Sequence, residues 1–282
     1  IRSCFGDIHQ DTALNTISAQ PYAKRPPVIC HLADRRDFPM AWFFTTGSKE
    51  HLERMKARAA SMHLTLNNTG MFNKDQRMEI RDENDIYKVL GIPFIPPEIR
   101  EEFSERCYAH DYHIPKLLQG KHIKGTPHNH TTFSDGKTLL KDLVHEAREI
   151  GYAWIGISDH SKSAFYAGGM KCDDIKRQHR EIDDLNRSLD KITILKGVEC
   201  DILRDGSLDY PPEILREFDF VIASIHSHMD MDKDTMTRRI IKALKNPVTS
   251  IFAHPSGRLL LAREPYNVDL DAVLDEALKN HV

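Results

Sequence analysis

At 282 residues, 40% apolar and 29% charged, the chain has material for one large domain or two smaller ones with packed cores. No apolar run approaches the roughly 20 residues of a membrane helix, and Ile1-Arg-Ser-Cys-Phe5 shows no charged-then-apolar secretory pattern, so no membrane partner is expected. A net charge of −3 excludes reading nucleic-acid binding from composition alone, although a local basic patch would suffice. The cysteines Cys4, Cys30, Cys107, Cys172 and Cys200 are odd in number and form no Cys-x-x-Cys pair, which suits a reducing cytoplasm better than a disulfide framework.

Residues 1–45 read as irregular α/β structure. Ala41-Trp-Phe-Phe44 reads as a short strand, broken at Thr45-Thr-Gly-Ser-Lys49, with Ser48 capping a helix from Lys49 to about Met62. Gly47, Ser48 and Lys49 form a turn feeding a helix N-terminus, which can hold a phosphate; such turns also simply connect strands to helices. Leu64-Thr-Leu-Asn-Asn-Thr-Gly-Met-Phe72 reads as a strand and a turn at 68–70, and Asp85–Leu90 as a short helix stopped by Gly91 and Pro93. Pro96 and Pro97 exclude an interior helix over Ile95–Arg100. The chain is expected to hand over there, with residues 1–97 as one unit, 98–120 as a linker and 121–282 as a second domain.

From Lys121 apolar strands alternate with amphipathic helices, the pattern of a parallel sheet or barrel. Leu139, Leu140, Leu143, Ala147 and Ile150 fall at helical spacing, as do Ile175, Ile182, Leu185 and Leu189, then Met236, Ile240 and Leu244, then Leu270, Val273, Leu274 and Ala277. Strands are expected over 153–158, 193–199, 218–224 and 248–253. Before the first, His128 and His130 stand two residues apart, so on an extended strand both face one side, with Asp135 arriving from the loop beyond.

Metal-ligand residue types end each strand: Asp159-His160, Glu199-Cys-Asp201, His226-Ser-His228 and His254-Pro. In α/β barrels the C-terminal strand ends bring distant sequence positions together. The candidate ligands are drawn from His128, His130, Asp135, Asp159, His160, Glu199, Asp201, His226, His228 and His254. Asp159, Asp201 and His228 are alternatively residues that orient a ligand, and His228 is equally a surface residue. His110, His113, His122, His145, His179 and His281 lie off this register and are read as ordinary histidines. Imidazole and carboxylate ligands without a cysteine suit zinc, manganese or iron, and they are too many for one ion. Two metals bridged by a carboxylate such as Glu199 suit phosphoester hydrolysis. Glu199, Asp159 and Arg258 are the candidate catalytic residues. Arg258, in His254-Pro-Ser-Gly-Arg258, offers a planar fork to a substrate phosphate or equally makes a structural ion pair.

As an ordered set, His128-x-His130 with Ser-Asp135-Gly, Asp159-His160-Ser, Gly-Val-Glu199-x-Asp201, Ser-x-His226-Ser and His254-Pro-x-Gly-Arg258 resemble the motifs of the PHP (polymerase and histidinol phosphatase) family. The resemblance implies a distorted (β/α)7 barrel, an α/β fold, with a trinuclear site, expected here to take two or three divalent metal ions, and it names His128, His130, Asp135, His160, Glu199, His226 and His254 as the ligands. Thr126-Pro127 replaces the family's usual Asp-Leu before the first histidine. The family's last motif, an Asp-x-His, is expected beyond residue 282, so the chain is expected to be part of a longer protein. Upstream, Thr46-Gly-Ser-Lys-Glu-His51, Leu64-x-Leu-x-x-x-Gly-Met-Phe72 and Tyr87-Lys-Val-Leu-Gly-Ile-Pro-x-Ile-Pro-Pro-Glu98 resemble the thumb of bacterial family X DNA polymerases, in which a PHP domain follows. The resemblance implies a 3′–5′ exonuclease or 3′-end processing enzyme of DNA repair acting on gapped or 3′-recessed DNA. Gly6-Asp-Ile-His9 carries a histidine where the family's palm has a second aspartate, and Val28-Ile-Cys-His31 stands where the third belongs, so polymerase activity is not expected. The alternatives are a phosphatase of small phosphomonoesters and a non-catalytic DNA-binding scaffold.

Overall fold

The computed structural model describes residues 5–11, 16–21, 28–101 and 114–282. It divides into two compact units, residues 1–117 and 118–282. The expected ordinary histidines His110 and His113 lie outside the described residues.

The first unit begins with an antiparallel sheet of β1 (Phe5–Asp11), β2 (Thr16–Pro21) and β3 (Val28–His31) in that order. Gly6–His9 falls on β1 and Val28–His31 is β3 itself. Two helices follow, α1 (Phe38–Thr46) and α2 (Lys49–Ser61). The strand expected at Ala41–Phe44 is thus the middle of α1. An apolar run this short carries no period of its own. What decides it is Pro39 in the first turn, with Pro39, Met40 and Phe43 buried on one side. Thr45 and Thr46 end the helix by donating their hydroxyls back to the Ala41 and Trp42 carbonyls at 2.8 Å each.

Ser48 caps α2 as expected, its hydroxyl accepting from the His51 amide at 3.2 Å. A hairpin of β4 (Leu64–Asn67) and β5 (Gly70–Asn73), extended by β6 (Gln76–Arg77), leads to α3 (Glu83–Val89). Met40, Phe43, Met55, Ala59, Leu66, Met71, Ile86, Tyr87 and Leu90 form the core of this unit. Arg100 is 1% exposed within it. Its guanidinium donates to Ile95 O at 2.9 Å, Thr46 Oγ1 at 2.6 Å and Glu83 Oε1 at 2.8 Å, and lies over the rings of Phe43, Tyr87 and Phe94. A buried cation is tolerable only when paired and hydrogen-bonded in this way.

The second unit is built on a five-stranded parallel sheet, β7 (Gly125–Thr126), β8 (Trp154–Ile157), β9 (Thr193–Asp201), β10 (Phe220–Ser224) and β11 (Thr249–Phe252), ordered as in the chain with β7 and β11 at the edges. Between and after the strands run α4 (Leu140–Ile150), α5 (Cys172–Ser188), the single turn α6 (Pro212–Leu215), α7 (Lys233–Leu244) and α8 (Leu270–Lys279). This is the parallel half of an α/β barrel such as the motifs implied.

Each long helix buries one stripe, Leu140, Val144 and Ala147 on α4, Ile175 and Ile182 on α5, Met236, Ile240 and Leu244 on α7, and Val273 and Ala277 on α8. Leu139, Ile150, Leu270 and Leu274 are exposed, so the apolar spacing was wider than the buried face. In register, Ser224 on β10 stands opposite Asp201 on β9, and His160 bridges Glu199, which brings the C-terminal ends of neighbouring strands level. Among the described residues no helix is long and apolar enough to cross a membrane.

Candidate metal centre

β7 ends at Thr126, so His128 and His130 lie just past the strand on which they were expected. They keep the alternation of a strand because Asn129 between them is pinned. Its amide donates to Ser158 Oγ at 3.1 Å, its carbonyl accepts from Ser158 N at 2.8 Å, and its side chain donates to Thr126 O and Gly156 O. Both rings turn to one carboxylate, with Nε2 of His128 at 3.3 Å and Nε2 of His130 at 3.4 Å from Glu199 Oε2.

Glu199, near the end of β9 and 1% exposed, is the hub. His160 Nδ1 lies 3.1 Å from its Oε2, while His226 Nε2 at 3.3 Å and His254 Nε2 at 2.8 Å reach its Oε1. Ser224 donates its hydroxyl to the same Oε1 at 2.8 Å. Asp135 stands at the opening, half exposed, 3.4 Å from His130 Nδ1 and 3.8 Å from His160 Nε2. The structure therefore brings together His128, His130, Asp135, His160, Glu199, His226 and His254.

Burial alone would raise the Glu199 carboxyl, but hydrogen bonds from His128, His226 and His254 hold it far below the usual carboxylate range. Burial lowers His160. At His226 burial pulls the same way, but Asp201 and Glu199 outweigh it and push the imidazole up to about 9. The buried Nδ1 atoms of His130 and His160 make no hydrogen bond, although carboxylate oxygens lie close to both. An imidazole nitrogen and a carboxylate oxygen that approach without a shared proton are placed to share a cation. His128, His130 and Glu199, then His130, Asp135 and His160, then His160, Glu199 and His226 form three such groups, each with ligand atoms within 4.8 Å of one another. The donor set fits more than one divalent ion.

Asp201 lies behind this cluster. Its Oδ1 is 2.6 Å from His226 Nδ1 and its Oδ2 accepts from Ser163 Oγ at 3.0 Å, which fixes the plane of the His226 ring. Asp159, expected as a catalytic residue or as one that orients a ligand, stands beneath the cluster. Fully buried, it accepts from the amide and hydroxyl of Thr131 at 2.8 and 2.7 Å, from Ser134 Oγ at 2.5 Å and from Gln178 Nε2 at 2.7 Å. Its geometry is that of a clamp on the turn that delivers Asp135. His228 is also outside the cluster: it is exposed, with φ 52°, and its carbonyl accepts from the Arg239 guanidinium at 3.3 Å. Arg258 is exposed on the loop after β11, its amide facing Ser256 Oγ at 3.4 Å. In the first unit, Gly47 and Ser48 join two helices rather than a strand and a helix, the Ser48 amide donating to Arg100 O, and Lys49 is exposed.

The motifs contain Asn129, between the paired histidines, and Ser224, which opens Ser-x-His226-Ser, without assigning either a role, and Tyr166 lies outside them. The Tyr166 ring centroid lies 6.1 Å from that of His160 and 6.3 Å from that of His226. Partial burial and the Asp201, Glu199 and Asp135 carboxylates push its phenol up to about 12.

Residues 127–279 match the PHP domain family. The chain belongs to that family. Ahead of this PHP unit, residues 41–101 match the DNA polymerase beta thumb. Over 275 residues, 96% of this chain, it is 36% identical to the DNA polymerase/3′-5′ exonuclease PolX of Bacillus subtilis. It is also 29% identical over 166 residues to a probable phosphatase of Clostridium acetobutylicum, and 30% identical over 158 residues to one of a Thermoanaerobacter species, matches covering 55% and 52% of this chain. The chain spans about half of the Bacillus relative, 47%, and 60% and 57% of the two phosphatases.

Proposed function

We propose that this chain hydrolyses phosphodiesters at the 3′ ends of DNA, a 3′–5′ exonuclease or 3′-end processing activity suited to DNA repair, with two or three divalent ions of manganese, zinc or iron. One observation carries the reading: five imidazoles from four strand ends converge on the buried carboxylate of Glu199, in a chain whose first unit matches a polymerase thumb. Divalent ions in such a site supply Lewis acidity toward phosphoryl oxygens and an activated water. The residues that would hold the ions are His128, His130, Asp135, His160, Glu199, His226 and His254. Asp201 fixes the ring of His226, and Asp159 holds the turn carrying Asp135. Arg258, exposed beyond His254, offers its fork to a phosphate of the bound strand.

The first unit would bind and position gapped or 3′-recessed DNA, with Gly47, Ser48 and Lys49 against the backbone. It would not polymerise, because His9 and Val28–His31 lack the hard oxygen ligands magnesium requires. A second reading, hydrolysis of small phosphomonoesters, is favoured by the likeness of about half of the chain to two probable phosphatases. The test is cleavage of a 3′-labelled gapped duplex and of a phosphomonoester by metal-stripped protein after manganese or zinc is restored, with His128→Ala as control. Metal-dependent loss of the 3′ label, abolished in the variant, is expected. Turnover of the monoester alone would replace the nuclease reading with the phosphatase one, and turnover of neither, with gapped DNA still bound, would leave a DNA-binding scaffold.

A further inference from the structure

Beside the cluster, a short 3-10 turn over Phe165–Ala167 presents two aromatic rings to solvent, Phe165 87% and Tyr166 71% exposed. Singly exposed aromatics on loose loops need no explanation. This turn is tied down. Ala164 and Ala167 on either side are buried, and the Ala164 amide donates to Ser161 O at 3.1 Å and that of Ala167 to Ala164 O at 3.0 Å. The segment then returns to the cluster, where Met170 N donates to His160 O at 2.8 Å. Gly168 adopts φ 65°, and a Cβ on Gly169 would stand 1.9 Å from the Ser161 carbonyl oxygen, so both positions require glycine for the turn to close. The backbone that carries the rings is therefore held relative to His160, and Tyr166 meets the imidazoles of His160 and His226 steeply, at 63° and 74°, while most of its surface stays open.

Resting on the phosphodiesterase reading above, we propose that Phe165 and Tyr166 form the subsite for the base of the nucleotide whose phosphodiester lies at the cluster. Tyr166, nearer the imidazoles, receives that base, and Phe165 extends the surface outward. A nucleotide places a flat π surface one sugar away from its phosphate, whereas a small aliphatic phosphomonoester has nothing to lay on these rings. Stacking on aromatic side chains is worth about 1–3 kcal/mol per base and tolerates any base, because every base has a π face. The pair thus selects nucleic-acid ends over small phosphoesters without choosing among the four bases.

The experiment compares two 3′-recessed duplexes that differ only in the last nucleotide, adenine-bearing or abasic, using manganese-loaded protein. The expected ratio of kcat/KM, base-bearing over abasic, is about fivefold to a hundredfold in the unaltered protein. In the Phe165→Ala/Tyr166→Ala variant the ratio falls close to one, and Tyr166→Trp keeps it. A ratio near one in the unaltered protein, or the same ratio in the double variant, overturns the proposal. So does an equal fall on both substrates, which would mark a structural role. A 3′-terminal 2-aminopurine reports stacking without turnover. If neither duplex is cut, the phosphodiesterase reading has failed on its own. The subsite then stands if quenching on binding is lost in the double variant, and falls if quenching is absent or unchanged.

Discussion

At the scale of single residues, two aspartates of similar depth have opposite tasks. Asp201 touches a candidate ligand, His226, and so acts on the cluster through a ring orientation. Asp201→Asn is expected to lower metal affinity or activity about 10- to 100-fold, the usual effect of losing a carboxylate behind a ligating histidine, with little change in unfolding midpoint. Metal competition against a chromophoric chelator, paired with urea unfolding, checks both halves. Asp159 accepts four hydrogen bonds and is completely buried. Asp159→Ala leaves those donors unpaired, so a loss of about 3 kcal/mol of stability is expected, visible in the same urea titration before any metal is added. Retained stability with lost hydrolysis would return Asp159 to the catalytic role its sequence position suggested.

At the scale of elements, what the sequence made legible was chemistry placed at strand ends, because His, Asp and Glu closing successive β segments mean the same thing wherever the sheet curves. The α/β alternation and the Ser48 cap were legible for the same reason, each resting on a local rule. Ala41–Phe44 was not, since an apolar tetrapeptide has no period and its helix is decided by Pro39 and by burial of Phe43. Nor was the direction of Asp159, because residue type announces a ligand but not which way it points. Helix α5 shows a further limit. His179, off the ligand register, is buried edge-on against Phe218 with its Nε2 unpartnered. Burial, with Lys196 nearby, holds it below its ordinary 6.5. The unfolded chain therefore takes up this proton first, so the stability that the neutral ring preserves is whole above about pH 6.5 and is lost as pH falls through its depressed value. His179→Phe keeps the packing face and removes the titration. Melting temperatures followed from pH 7.5 to 5 are expected to fall less steeply in that variant than in the unaltered protein. Parallel slopes would mean that another group carries the acid sensitivity.

At the scale of the whole molecule, the candidate cluster draws every ligand from the second unit, and the first has a core of its own around Arg100. Ligands that bind only the folded state stabilise it by mass action, about 2.7 kcal/mol when the free ion stands at a hundred times its dissociation constant. Metal should therefore act on one unit and not on the other. The chain has two tryptophans, Trp42 on α1 of the first unit and Trp154 on β8 of the second, so each unit carries its own fluorescent reporter. In a Trp42→Phe variant the remaining signal follows the PHP unit, and stripping metal with a chelator is expected to lower its thermal midpoint by several degrees. In a Trp154→Phe variant the signal follows the thumb-like unit, and the same chelator should leave it in place. A chelator shift of equal size in both variants would show that the units unfold together, and the stability of the thumb-like unit would then depend on metal bound by the PHP unit. Without a shift in either, the imidazoles around Glu199 would have to hold together without the ions, against the orphaned nitrogens of His130 and His160.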